Sequence, residues 1–148
     1  MIIDLNKLKR EGKTEEEFVF AFKADDTKLL LPAAKYDGDV KVTALIELSG
    51  RDVFADITLD YVIAGECSRC LEPARQNVSC SFEAKFSLNP SADDGEYGYG
   101  GGKIDLTDCV NENLILSVPA TIYCKPDCKG LCPVCGANRN LTDCGHND

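Results

Sequence analysis

Nine cysteines and one histidine mark where this chain can do chemistry. Seven of the cysteines and the histidine form a pattern. Cys67-Ser68-Arg69-Cys70 lies mid-chain, and Cys124, Cys128, Cys132, Cys135, Cys144 and His146 follow near the end. Two thiolates separated by two residues can grip one metal when the chain turns tightly between them. In Cys132-Pro133-Val134-Cys135-Gly136 the proline presets one backbone angle of that turn. The glycine can take the positive φ that lets backbone N–H groups face the sulfurs. Structural zinc sites have this form, with four S or N ligands at roughly 2.0–2.3 Å. One such pair is weak evidence, but a second pair and four more ligand-type residues make it strong.

Eight candidate ligands fit two four-ligand sites. The preferred pairing gives Cys67, Cys70, Cys124 and Cys128 to one zinc ion and Cys132, Cys135, Cys144 and His146 to another. A rival pairing joins Cys67 and Cys70 to Cys132 and Cys135 and implies one zinc, or two with the remaining four. Spacing alone leaves both open. Other chemistries are weighed against zinc. Cys67 and Cys70 have the spacing of a thiol redox pair. Iron–sulfur ligation also uses cysteines, though a histidine and a Pro/Gly turn favour zinc. A catalytic zinc needs an open position and a base nearby, which complete four-ligand sets do not leave. No Ser-His-Asp or Cys-His set is present, so the chain is not expected to be an enzyme. Cys80 and Cys109 lie outside the pattern, on a strand and a helix, and read as core residues.

Elements must position these groups. Residues 2–5 read as a short strand, 6–11 as a turn or helical turn, and 18–22 as a strand with alternating phenylalanines. Val40 to Leu48 and Val53 to Ile63 alternate apolar and polar across Ser49-Gly50, the signature of an antiparallel hairpin. Val78 to Leu88 alternates in the same way. Residues 89–102 are acidic and glycine-rich and read as a flexible loop, not a phosphate cradle. Leu106, Val110 and Leu114 recur at four-residue steps, predicting a helix capped by Asp105 or Thr107 and ended by Pro119. The expected fold class is α+β. An antiparallel strand-rich body with one late helix spans 1–118, and a loop-rich C-terminal zinc-binding tail spans 119–148, packed back on Cys67 and Cys70.

Charge and compartment narrow the function. The formal net charge is -9. Residues 119–148 carry three basic residues (Lys125, Lys129, Arg139) and three acidic ones (Asp127, Asp143, Asp148), so the whole deficit lies in the body. An acidic body argues against broad nucleic-acid binding and suits solubility or a basic partner. The N-terminal residues do not read as a secretory signal, and no apolar run approaches the roughly 20 residues that span a bilayer. A cytoplasmic chain is expected, with reduced thiols available to metal. Arg69, Arg75, Lys125, Lys129 and Arg139 are candidate contacts for phosphate or an acidic partner. A small-molecule substrate is not expected.

Glu66-Cys67-Ser68-Arg69-Cys70-Leu71-Glu72 resembles the Cys-x-Arg-Cys-Leu signature of the YceD family, the large-subunit ribosomal RNA accumulation proteins. Ile104-Asp105-Leu106, Leu116-Ser117-Val118-Pro119 and the string from Cys128 through Cys132-Pro133-Val134-Cys135-Gly136 to Asn138 are similar to the rest of its pattern. The resemblance covers most of the chain, and the tail string is its specific part. The family's tail usually closes with Cys-x-Cys, where this chain has Cys144-Gly145-His146. Relatives that lack the tail turn keep the first pair and a Cys or His near Cys124, which supports the preferred pairing. The resemblance implies a non-catalytic role in making or stabilising large-subunit ribosomal RNA, with that RNA or ribosomal proteins as partners.

Overall fold

The computed structural model describes residues 1–31, 33–91 and 95–146. Pro32, which in the sequence ends the short apolar run 28–31, and residues 92–94 of the expected loop lie outside the described residues. The order of elements is β1 (Ile2–Asp4), α1 (Leu5–Arg10), β2 (Glu15–Phe22), β3 (Lys35–Tyr36), β4 (Val40–Ser49), β5 (Asp52–Glu66), β6 (Pro73–Ser87), β7 (Tyr97–Gly98), β8 (Lys103–Asp105) and α2 (Thr107–Ser117). The main sheet runs β2-β4-β5-β6-β7, and β3 takes over the β4 side of β5 beyond Asp60. Every pairing is antiparallel except β6 with β7. A second, two-stranded sheet joins β1 to β8.

Strict alternation decides which face is inside. Val40, Val42, Ala44 and Ile46 on β4 and Val53, Ala55, Ile57, Leu59, Tyr61 and Ile63 on β5 are all buried. Their neighbours along each strand point to the other face, where Asp56 and Thr58 of β5 lie beside Ser81 and Glu83 of β6 and meet solvent or its edge. The hairpin between β4 and β5 closes through Gly50 at φ 62, a left-handed value that glycine adopts without a Cβ clash. Ile3, Leu5, Leu8, Ile104, Leu106, Val110 and Leu114 complete the same core, so the β1/β8 pair and both helices belong to it.

The late helix stops before Pro119, as expected, but its N-cap is Leu106 with no side-chain cap bond, so neither Asp105 nor Thr107 is the cap the sequence predicts. Asp105 instead fixes the turn just ahead of the helix. The Asp105 carboxylate accepts from the Thr107 backbone N–H at 2.9 Å and the Thr107 hydroxyl at 2.6 Å. Leu106, Val110 and Leu114 face inward. Tyr61 and Ser117 share a hydrogen bond of 2.7 Å that fixes the helix end to β5. The glycine-rich stretch is not all loop: Tyr97–Gly98 pairs in parallel with Phe86 and Ser87, and the Tyr97 hydroxyl donates to Glu112 on α2 at 2.7 Å. No helix among the described residues is long and apolar enough to cross a membrane.

Leu59→Ala, at a fully buried position, is expected to cost about 2–5 kcal/mol in urea unfolding. Thr58→Ala, one residue along on the outward face, loses only a cross-strand hydrogen bond to Ser81 and is expected to cost about 1 kcal/mol or less.

Candidate metal centres

Strands β5 and β6 stay paired to their last residues, Glu66 opposite Pro73, so residues 67–72 form the hairpin turn itself. Cys67 N–H donates to the Glu72 carbonyl at 2.8 Å, and Leu71 N–H to the Cys67 carbonyl at 3.0 Å. Leu71 closes this turn at φ 65. The second cysteine pair repeats the pattern: Cys132 N–H donates to the Ala137 carbonyl at 2.8 Å and Gly136 N–H to the Cys132 carbonyl at 2.9 Å. Gly136 there has φ 75. The two turns are the same device, with a leucine in one at the left-handed position that glycine fills in the other.

After α2 the chain returns to the first turn. Ser68 N–H donates to the Ile122 carbonyl at 2.7 Å, and Ile122 N–H to the Ser68 hydroxyl at 3.2 Å. With Ile122 fully buried, this clip brings Cys124 and Cys128 against the hairpin turn. The Cys67 and Cys128 sulfurs lie 3.7 Å apart, and those of Cys70 and Cys124 3.5 Å apart. All four sulfurs fall within 4.8 Å of one another. Four sulfurs at about 2.3 Å from a common tetrahedral centre would be spaced about 3.8 Å. A disulfide needs about 2.05 Å, and the cysteines are free. Cys67, Cys70 and Cys128 are buried, and Cys124 is the most accessible of the four.

Cys132, Cys135, Cys144 and His146 form the second group, also within 4.8 Å. The His146 Nδ1 lies 3.6 Å from the Cys132 sulfur, and Val134 N–H points at that sulfur from 3.4 Å. This group is more open, with Cys135 and His146 exposed. Of the two pairings that spacing left open, the fold assembles Cys67/Cys70/Cys124/Cys128 and Cys132/Cys135/Cys144/His146. It does not bring the two turns together on one centre.

Asn140 joins the groups. Its side-chain amide donates to the Cys128 sulfur at 3.3 Å, and its carbonyl accepts the Lys129 N–H at 2.9 Å. Alongside, Arg139 N–H donates to the Gly130 carbonyl at 2.9 Å. Gly130 has φ 77, and a Cβ there would stand 3.3 Å from the Arg69 carbonyl, so the ribbon approaches the hairpin turn closely.

The first cysteine of each turn is prepared as a thiolate. Burial pushes the Cys67 thiol up, but hydrogen bonds from the backbone of Cys70, Cys124 and Arg69 outweigh it and bring it to about 6. Backbone donation from Cys135, then from Val134, overcomes burial at Cys132 and also brings it to about 6. Cys109, on the buried face of α2, is pushed up to about 12 by burial, as suits a core thiol.

The basic candidates divide. Arg69 donates to the Cys128 carbonyl at 3.1 Å, and its guanidinium stacks 4.4 Å from the centre of the Tyr123 ring. It therefore braces the first group. Arg75 pairs with Asp37. Lys125 and Lys129 are exposed beside the ligands, and Arg139 is half-buried in the ribbon. Sequence reasoning missed Asn140, Ser68 and Tyr123. The one available signal was an asparagine-rich stretch, Asn138-Arg139-Asn140, between ligand-type cysteines.

A family model described as "Large ribosomal RNA subunit accumulation protein YceD" matches residues 55–148, from near the start of β5 through both cysteine groups. The chain belongs to the YceD family. An uncharacterized protein of Mycobacterium tuberculosis is 34% identical over 109 residues, covering 70% of this chain and 51% of that protein. YlbN of Bacillus subtilis, also uncharacterized, is 27% identical over 123 residues, covering 76% of this chain and 72% of its own. A maize chloroplast protein named as a large ribosomal RNA subunit accumulation YCED homolog is 26% identical over 114 residues, covering 55% of this chain and 39% of its own. The chain spans about half the length of the mycobacterial relatives it matches. No solved structure matches it. Within this YceD chain, the two groups can each hold a metal ion.

Asn140→Ala is expected to weaken metal retention at Cys67/Cys70/Cys124/Cys128 by about 10–100-fold, the usual cost of losing a hydrogen bond to a ligand atom. Chelator competition followed by a chromophoric metal indicator measures this, and retention equal to the unaltered chain's would assign Asn140 to backbone support alone.

Proposed function

We propose that this chain is a non-catalytic cytoplasmic factor that supports accumulation of large-subunit ribosomal RNA, with zinc fixing the contact surface at its C-terminal end. The observation that carries this reading is the convergence of eight ligand-type side chains into two tetrads on a YceD chain, one of them built into the end of the main hairpin. The donor sets fit zinc. Four thiols suit one ion and three thiols with one imidazole suit the other, both common structural combinations. Cys67, Cys70, Cys124 and Cys128 would hold the first ion, and Cys132, Cys135, Cys144 and His146 the second. Zinc would cancel thiolate charge and crosslink the hairpin turn to the segments after α2. Segment 119–148 would then act as a rigid module on the strand-rich body, presenting Lys125, Lys129 and Arg139 to phosphate. Burial of Cys67 and its crowding by three other sulfurs weigh against a redox role, which needs a reachable thiol.

A second reading draws on the outward face of the sheet. Glu15 stands directly opposite Glu47, and Asp56 opposite Glu83. Like charges facing across strands are destabilising, and a cationic protein would relieve them. In this reading the chain is an adaptor for a basic ribosomal protein, without RNA contact. Crosslinking in growing cells separates the two readings: covalent adducts to large-subunit RNA support the first, and adducts to protein alone support the second.

Elemental analysis of protein purified without added metal is expected to find two zinc ions per chain. Acidification is expected to release them, because protons compete for thiolate and imidazole. Iron in place of zinc would overturn the metal assignment. In cells depleted of the chain, large-subunit ribosomal RNA is expected to fall relative to small-subunit RNA. Restoring the Cys67→Ser/Cys70→Ser variant should fail to rescue it. An unchanged ratio would count against the functional reading.

A further inference from the structure

The two cysteine groups differ in how far solvent reaches their donors. In the first, Cys67, Cys70 and Cys128 are buried, and Cys124 is the one ligand open to solvent. In the second the proportion is reversed. Cys132 is buried, Cys144 is half-buried, and Cys135 and His146 are exposed. Metal ligation keeps a cysteine as thiolate, and a thiolate meets a small oxidant according to its exposure.

The groups also differ in what fixes their ligands. The first is held by contacts that need no metal: the Ser68–Ile122 clip, the Asn140 amide on the Cys128 sulfur and the Arg69 guanidinium on the Cys128 carbonyl. In the second, Cys132 is fixed by its turn, and the ribbon continues to Thr142, whose N–H donates to the Asn138 carbonyl at 3.0 Å. Beyond that point the described residues 143–146 are joined to the ribbon through ligand atoms. Gly145 N–H turns back locally on the Asp143 carboxylate at 3.0 Å, and His146 Nδ1 reaches the Cys132 sulfur at 3.6 Å. Cys144 is therefore the thiol that can shift. Its sulfur already lies within 4.8 Å of the other donors, and a disulfide needs about 2.05 Å.

We propose, resting on the zinc reading above, that Cys135 is an oxidative modification site, at which a peroxide drives a Cys135–Cys144 disulfide and empties the tail group while the first group stays loaded. The Cys135 thiolate attacks one peroxide oxygen. The O–O bond breaks, leaving a sulfenic acid on Cys135 and a hydroxide. The Cys144 thiolate then attacks that sulfur, the S–O bond breaks, and a second hydroxide leaves. Two electrons have passed from the two sulfurs to the peroxide. Cys132 and His146 remain, and two donors do not make the four-ligand set that a structural zinc ion requires. The redox role that burial denies to Cys67 thus falls to a thiol that solvent reaches. The ribbon between Lys129 and Cys144 becomes sensitive to oxidant, while the end of the main hairpin does not.

The full chain, first shown to carry two zinc ions, is treated with hydrogen peroxide, and released zinc is read with a chromophoric indicator. Loss of one ion of the two is expected, and a thiol reductant with added zinc should restore it. Trypsin cuts after Lys129 and Arg139, so Cys135 lies in peptide 130–139 and Cys144 in peptide 140–148. After free thiols are capped, mass spectrometry should find these two peptides joined, with fragmentation placing the bond at Cys135. Release of no zinc, loss of both ions together, a Cys70–Cys124 disulfide, or absence of the joined peptides would each overturn the proposal. A chain without zinc before treatment would sink the zinc reading itself, and this inference with it.

Discussion

Four cysteine sulfurs converge at one end of the sheet, drawn from segments 54 and 61 residues apart in sequence. Everything in the C-terminal part of the chain is arranged around that convergence. Four thiolates cannot share so small a space in apolar surroundings without a cation, because like charges at this separation oppose one another strongly. Only the body can supply a fixed half of the set, and it does so by turning its longest hairpin into a ligand-bearing loop. The tail supplies the other half through the Ser68–Ile122 clip. The second group depends on the first, since Asn140 and Gly130 seat its ribbon against the hairpin turn.

Two physical devices recur. A Cys-x-x-Cys turn with N–H groups directed inward appears twice and lowers the thiol pKa at Cys67 and Cys132 alike. The electrostatic preparation is thus made by backbone, not by basic side chains. Arg69 illustrates the contrast. It looks like a phosphate contact in sequence, yet its guanidinium is held between a carbonyl oxygen and an aromatic ring. Its side-chain donors serve the architecture, while only its backbone N–H acts on the Cys67 thiol.

The strands β4, β5 and β6 and the helix α2 were legible in the sequence because each carries a clean period over many residues. Val40 to Leu48 keeps every second position apolar, with Leu45 the one apolar residue on the outer face, and Leu106, Val110 and Leu114 keep a single helix face. The short strands β3, β7 and β8 were not legible as strands. Two or three residues carry no period, and their pairing depends on contacts distant in the chain, such as Ile3 with Ile104. The ligand-type residues were visible from type and spacing, and their division into these two groups was the preferred pairing, though spacing alone left a rival open. That division follows from the turn after β5 meeting Ile122, a tertiary fact. Asn140 was invisible for a similar reason, since an amide on a polar ribbon looks like solvation until Cys128 is placed beneath it.

The hairpin that carries Cys67 and Cys70 has 15 residues in each strand, about 50 Å of continuous ladder. A ladder this long is unforgiving of insertions and deletions. Because side chains alternate faces with every residue, gaining or losing one residue within β5 or β6 would turn the terminal loop over, or force a bulge to absorb the change. Ser68 would then face away from Ile122, and the thiols would leave their partners. The spacing from the sheet centre to Cys67 is therefore held by geometry.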